Sequence, residues 1–429
     1  SHVVSFLQVT TSFCRTEPHG TSKDKNCMPG IYRLKGTVKH YDWGGHDFIP
    51  SLLQMDNRDH LPFAEYWMGV HPQDNCTVEL PGQHRELLKE YLKKNPEFLG
   101  QPVWQQFGHL PYLFKVLDVH KMLSIQVHPT KAAAEREFAR ENAEGIPIDS
   151  VRRNYKDDNH KPELMVALSD FWLLHGFKPP EEMSYTLLNV VELRELLPVF
   201  NRSGYEGLYK YVMEMPQEEV NRILQPLIDN LSTVYKDKQP DKYDEDFWAA
   251  KAAYSFPHHG KTDRGIFSIY LFNLLHLKKG EGIFQPAGVP HAYLEGKNVE
   301  IMANSDNVLR GGLTNKHIDV KELLKHVKCE PTYARILSGE QVTDQEKLYA
   351  TAAPDFQLSM FSMKAGDTVS FLPFTAEIIL LTEGNAELSN GGSSLKLEPG
   401  HPSAIVFPGK EIKISSAAGA QVFRASVPR

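Results

Sequence analysis

Apolar and polar positions divide the chain into stretches of different period. Between residues 32 and 78, short apolar runs are broken by Gly, Pro and Asp, a pattern of strands and turns. RELLKEYLKKNPEF (85–98) sets Leu87, Leu88, Tyr91 and Leu92 on one side at helical spacing. YLFKVLDVHKMLSIQ (112–126) reads as two buried strands joined near Asp118 to Lys121. Behind Pro129, TKAAAEREFARE opens with a capping threonine, Thr130, and predicts a helix to Glu141. After Pro179-Pro180 the period becomes helical, and residues 181–253 read as a helical insert rich in Leu, Glu and Lys. Strands resume at Phe267. LKKGEGIFQPAGVPHAY is a strand, a Gly turn, a strand and a Pro/Gly turn that delivers His291. Asp319 to His326 predicts a short helix, and from Asp355 alternation punctuated by Gly predicts an all-β unit.

These changes divide the chain into four parts. Residues 1–30 form a loosely held N-terminal extension. Residues 31–178 and 256–330 form one β unit, interrupted by the helical insert at 179–255, and residues 331–429 form a second β unit. A chain of 429 residues has room for two or three cores. The net charge of -7 argues against general affinity for nucleic acid or an anionic membrane surface. An anionic small molecule would need a local cluster of Lys and Arg. The four cysteines show no CxxC and no close spacing, which disfavours a disulfide framework or cysteine zinc site. No segment reaches the roughly 18–20 apolar residues that span a bilayer. The expectation is a cytoplasmic monomer that engages neither membrane nor nucleic acid.

Three short stretches carry candidate chemistry. In LSIQVHP, Gln126 and His128 are two apart on an apparent strand, so both side chains point one way, and Pro129 places them near a rim. In NHKPE, Glu163 enters a largely apolar run, where a carboxylate needs a partner or a metal. In VPHAY, a tight turn aims His291. Singly, each reads as ordinary polarity. Together they offer an amide oxygen, two imidazoles and a carboxylate, a set suited to one divalent ion: zinc first, with manganese, iron or cobalt also compatible. Lys161, Arg310 and Lys316 are cations in or beside these stretches, and Gly311-Gly312 lets the backbone approach a ligand. Converging cations beside a metal suit a phosphate. Glu300 and Asp306 are carboxylates in a mostly apolar stretch, placed to orient an arginine, bond sugar hydroxyls or cap a turn.

The chain resembles the type I phosphomannose isomerases. The resemblance runs through YDWG (41–44), AEYWMG (64–69), LPYLFKVLDVHKMLSIQVHPTK, DNHKPELMVALSDFWLLHGFKP and PAGVPHAYLEGKNVEIMANSDNVLRGGLTNKHIDV. It covers most of residues 31–330, and the β tail is similar to the family's C-terminal domain. Asp42, Gly45 and Tyr66 depart from the family's usual pattern, and the N-terminal extension is unmatched. The resemblance implies a mainly β, cupin-like barrel with an inserted helical region and a second cupin-like β domain. It also implies that Gln126, His128, Glu163 and His291 are the metal ligands and that Arg310 is the active-site arginine.

The activity so implied interconverts mannose 6-phosphate and fructose 6-phosphate through a cis-enediol and feeds mannose and GDP-mannose metabolism. Lys161, Glu300 and a water held by the ion are the candidate proton carriers. Arg310 binds phosphate or guides the proton, Lys316 is a phosphate ligand, and Ser124, Trp43 and Asp306 line the substrate pocket. The absence of a GxGxxG or P-loop motif agrees with a reaction that needs no nucleotide cofactor. Three other readings are weighed against this one. A non-haem iron oxygenase shares the two imidazoles and the carboxylate but would not spend a fourth position on Gln126. A non-catalytic sugar-phosphate-binding cupin would be expected to lose a ligand or Arg310, and all are present. A bifunctional isomerase with nucleotidyltransferase activity lacks a Gly-rich nucleotide loop and spare length.

Overall fold

The structure is a computed structural model that describes residues 30–429 except 235, 237–240 and 258. The N-terminal extension therefore lies almost wholly outside the described residues. Among the described residues, strands form sheets of nine, ten and four, and the fold is mainly β with a helical region.

The ten-stranded sheet carries all three candidate stretches. Its spine is the long strand His291–Ala303, which changes partners along its length. The first part pairs with Gln126 and with Phe171–Phe177, and the second with Tyr112–Val119 and Glu163–Ala167. A register shift between Tyr293 and Glu295 marks the changeover. Residues directly opposite one another in an antiparallel pair share a face. The register places Gln126, His175 and His291 in one row and Trp67, Lys115, Glu300 and Met165 in another. The strands pair as open paths, not as the closed barrel expected from sequence, while the arrangement remains cupin-like.

The inner face of this sheet buries a small apolar group that includes Leu117, Met165, Phe171, Ile283 and Tyr293. A larger core lies on the side of the helical insert, whose helices Pro180–Asn189, Leu197–Glu214, Gln217–Val234 and Glu245–Ser255 bury Leu187, Leu208, Leu224 and Trp248. Another joins the ten-stranded sheet to the nine-stranded one through Phe114, Val116, Leu164, Ile378 and Phe423. Both candidate β units are thus fastened by apolar burial, at roughly 25 cal/mol per Å² of apolar surface.

Several elements differ from the sequence-based expectation. Phe267 does not resume a strand: Gly265–Leu271 is a helix, every residue of it buried, and the strand starts at Phe272. A short run buried all round has no period to read. The 85–98 stretch is not one helix. His84–Leu87 pairs with Thr77–Leu80, Leu88–Lys94 is helical, and Pro96 opens a separate 3-10 turn. The second strand expected before Gln126 shrinks to Gln126–Val127. Helices Phe48–Leu53 and Gln101–Phe107 were not anticipated.

Ile31–Lys35, assigned from sequence to the first β unit, pairs with Ser403–Val406 in the nine-stranded sheet, so the first and last described strands share a sheet. The helices expected after Thr130 and at 319–326 are present, each with a side-chain cap. Thr130 Oγ1 accepts from Ala133 N at 3.2 Å, and Asp319 Oδ1 accepts from Glu322 N at 3.1 Å.

Candidate metal centre

His128, Glu163 and His291 come together on the inner face, each buried, with one potential ligand atom apiece all within 4.8 Å of one another. Three elements deliver them: the end of the short strand at 126–127, the start of Glu163–Ala167 and the start of His291–Ala303. Glu163 Oε2 lies 3.4 Å from His128 Nε2 and 3.2 Å from His291 Nε2. On both rings Nδ1 faces a backbone carbonyl, that of Asn307 at 2.9 Å for His128 and that of Val289 at 3.1 Å for His291. A donor at Nδ1 leaves each Nε2 as a lone pair directed at the cluster, the tautomer a metal ligand requires. His128 Nε2 is buried without a hydrogen-bond partner.

Such an orphan in a donor set of two imidazoles and a carboxylate fits a divalent ion. Burial pushes the His128 imidazole down to about 4, so it is neutral at physiological pH. Burial works against the Glu163 carboxylate, but the Lys161 ammonium beside it holds it well below its usual range. The half-buried Gln126 lies opposite both His291 and Arg310 in the ladder, on the face that carries the imidazoles.

Of the other sequence candidates, Lys161 contacts this group directly. Lys161 Nζ is 3.3 Å from Glu163 Oε1 and the side chain is 12% exposed, so the carboxylate is shared between lysine and imidazoles. Glu300 is buried and accepts from Tyr293 Oη at 2.6 Å. Burial first, then the charge of Glu163, pushes its carboxyl up to about 8. Asp306 is bound to His71 at 3.0 Å and pairs with no arginine among the described residues; burial raises its pKa less than His71, Lys161 and Lys115 lower it.

Arg310 lies on the two-residue strand Leu309–Arg310; its side chain has no hydrogen bond or ion pair among the described residues, and burial lowers its pKa. Lys316 is exposed at the surface; partial desolvation of its ammonium and the neighbouring Arg310 lower its pKa, while Asp42 raises it. Ser124 is half-buried, two residues before Gln126. Trp43 stacks near Tyr41 at 5.9 Å and packs against the inner apolar group, so it is partly core.

Sequence reasoning passed over a second set of groups. Lys115 is buried with Nζ 3.6 Å from Glu65 Oε2 and 4.5 Å from the Trp67 ring centroid, and Glu65 also accepts from Trp67 Nε1. Burial opposes the Lys115 charge, but Glu65, Glu300 and Glu163 outweigh it and raise its pKa. His175, opposite His291, bonds Gln285 at 2.7 Å, and Gln285 lies opposite Glu163. A lysine inside the wholly buried strand YLFKVLDV was a readable signal, because an unpaired charge there is untenable. His175 and Gln285 carry no such mark.

A cupin-like sheet with a buried His-Glu-His donor set and an orphaned imidazole nitrogen defines a metal-binding protein of the cupin type. Residues 31–180 match the family model for the catalytic domain of phosphomannose isomerase type I. The mannose-6-phosphate isomerase of Salmonella typhimurium is 36% identical over 381 residues, covering 87% of this chain and 94% of that protein. The Mus musculus enzyme of the same name is 32% identical over 387 residues, covering 83% and 88%. A crystal structure of the Salmonella typhimurium enzyme bound to fructose 6-phosphate and zinc matches with a TM-score of 0.83 at 33% identity, covering 93% of this chain and 100% of that one. The chain belongs to the type I phosphomannose isomerase family.

Proposed function

We propose that this chain is a zinc-dependent aldose–ketose isomerase that interconverts mannose 6-phosphate and fructose 6-phosphate. The observation that carries this reading is the buried His128–Glu163–His291 group with its orphaned Nε2, in a chain that matches a zinc and fructose 6-phosphate complex over 93% of its length. We assign Gln126, His128, Glu163 and His291 as the residues that would hold the ion. A divalent ion bound there supplies Lewis acidity for the charge that develops on the substrate oxygens.

The residues of the chain supply the rest. In the aldose, C2 loses its proton and C1 gains one, while the hydroxyl proton on O2 is replaced by one on O1. Glu300, with a carboxyl near 8, holds or releases a proton close to neutrality, and Lys161 beside Glu163 is the second group we assign to this transfer. Arg310 and Lys316 are assigned to the phosphate, Arg310 as a fork and Lys316 as a point charge. Ser124, Trp43 and Asp306 are assigned to the pocket wall, with Asp306 held in place by His71. The buried Lys115–Glu65 pair keeps a positive charge opposite Glu300.

We place the enzyme in the cytoplasm as a monomer supplying mannose metabolism. Cys76 and Cys329 are both free, and no described helix is long and apolar enough to cross a membrane. The division into a catalytic unit with a helical insert and a second β unit is likewise our proposal. It is supported by the separate apolar cores, with Ile31–Lys35 shared into the second sheet.

The test is isomerisation of mannose 6-phosphate with and without a chelator, followed by added zinc. Activity lost to the chelator and regained with zinc is the expected result. No turnover by folded, zinc-loaded protein refutes the isomerase and leaves a sugar-phosphate-binding protein.

A further inference from the structure

The ligands reach the inner face on separate loops, and something must hold those loops in register. Residues 156–161 lead into Glu163 and carry Lys161. Residues 304–310 carry Asp306 and Arg310 and supply the carbonyl that faces His128. Asn307 joins the two. It is 1% exposed, and every polar atom of its side chain is used. Its Oδ1 accepts from Lys156 N at 2.7 Å and from Asp157 N at 3.3 Å. Its Nδ2 donates to Asp157 O at 2.8 Å, Asp157 Oδ1 at 3.0 Å and Asn159 O at 2.9 Å. Asp157 answers from the other loop: its Oδ1 accepts from Ser305 Oγ at 2.8 Å and its Oδ2 from Asp306 N at 2.8 Å.

We propose that Asn307 is a positioning residue for the metal centre: its amide clasps the loop before Glu163 to the loop before Arg310, and its carbonyl fixes the His128 ring. The inference rests on the metal-centre reading above. An amide is the one side-chain chemistry that accepts from two backbone N–H groups on one atom and donates to carbonyls from the other. An aspartate of equal size keeps the acceptor but turns the donor end into a second carboxylate oxygen facing two carbonyls and Asp157. The carbonyl of residue 307 then moves with its loop, and the His128 ring loses the partner that sets its tautomer.

The experiment measures zinc affinity of the metal-free full chain by competition with a chromophoric chelator, for the parent and for Asn307→Asp. Asn304→Ala is the control, since it removes a bond of the same loop, Asn304 Nδ2 to Leu110 O at 2.8 Å, without touching residues 156–159 through its side chain. Asn307→Asp is expected to weaken zinc binding about tenfold or more, while Asn304→Ala stays within about twofold. With cobalt at saturation, the d–d spectrum of Asn307→Asp is expected to differ from that of the parent, which a general loss of stability would not produce. Should Asn307→Asp not fold, Asn307→Ser, which retains a hydroxyl, is measured to the same criteria. Affinity within about twofold of the parent and an unchanged cobalt spectrum overturn the clasp alone. So does an equal loss in Asn304→Ala. A folded parent that takes up no zinc overturns the metal-centre reading with it.

Discussion

Replacing Arg310 by methionine is expected to separate stability from turnover. The guanidinium has no ion pair or hydrogen bond among the described residues, and burial alone lowers its pKa, so the substrate-free protein gains nothing from its charge. Methionine keeps most of the apolar stem and removes an uncompensated charge. The melting temperature of the metal-loaded protein should therefore hold or rise. Catalysis should not. If Arg310 grips the phosphate as a fork, two charge-assisted bonds are lost at about 1.5–3 kcal/mol each, or on the order of 10²–10⁴ in kcat/KM. Zinc content should remain at one ion per chain, because Arg310 meets the donor set only through its ladder position opposite Gln126. The assay is steady-state isomerisation alongside calorimetry and metal analysis. A kcat/KM within about threefold of the parent refutes the role in the site, and lost zinc or a sharply lowered melting temperature makes Arg310 structural.

Glu163→Gln should abolish zinc uptake, because the carboxylate joins both imidazoles; it also strands Lys161, and breaking such a buried pair costs about 3–5 kcal/mol in the metal-free protein, read by urea denaturation. His175, pushed down to about 4 by burial, should make the metal-free chain less stable as pH falls from its unfolded value of 6.5 towards 4. The unfolded state binds the proton that the folded state refuses, so the loss approaches about 3 kcal/mol below both values. Denaturation at stepped pH should give a shallower slope for His175→Asn, and an unchanged slope rules the histidine out. Trp248→Ala, in the core of the helical insert, should cost about 3–5 kcal/mol, and a smaller effect on thermal unfolding would mean that the insert collapses around the gap.

What the sequence disclosed of the site is what the chain carries locally. Gln126 and His128 share a face because strand side chains alternate, and the turn at Ala287-Gly288 delivers His291 to the start of its strand; neither fact depends on a distant neighbour. What it hid is set by register. That Lys115 lies opposite Glu300, His175 opposite His291 and Gln285 opposite Glu163 follows from pairings between residues more than a hundred positions apart. Ile31–Lys35 was hidden for the same reason, since its partner is Ser403–Val406. Gly265–Leu271 failed differently: packed on all sides between sheet and insert, it has no polar face to betray its helical period.

The polar interior raises a question of cost. The inner face buries Glu65, Lys115, Glu163, Glu300, His128, His175 and His291 beside Leu117, Met165 and Phe171. Ion pairs that deep stabilise little, because desolvation offsets their attraction. The arrangement persists because the same sheet is apolar on its outer sides, where Leu174 and Phe272 face the insert and Phe114, Val116 and Leu164 face the second β sheet. This assigns the appended parts a physical role. The helices between residues 180 and 255 and the nine-stranded sheet cover the outside of a sheet whose inside is polar, and they supply the burial that a polar core cannot. A catalytic sheet stripped of either should fail to fold before it fails to bind zinc.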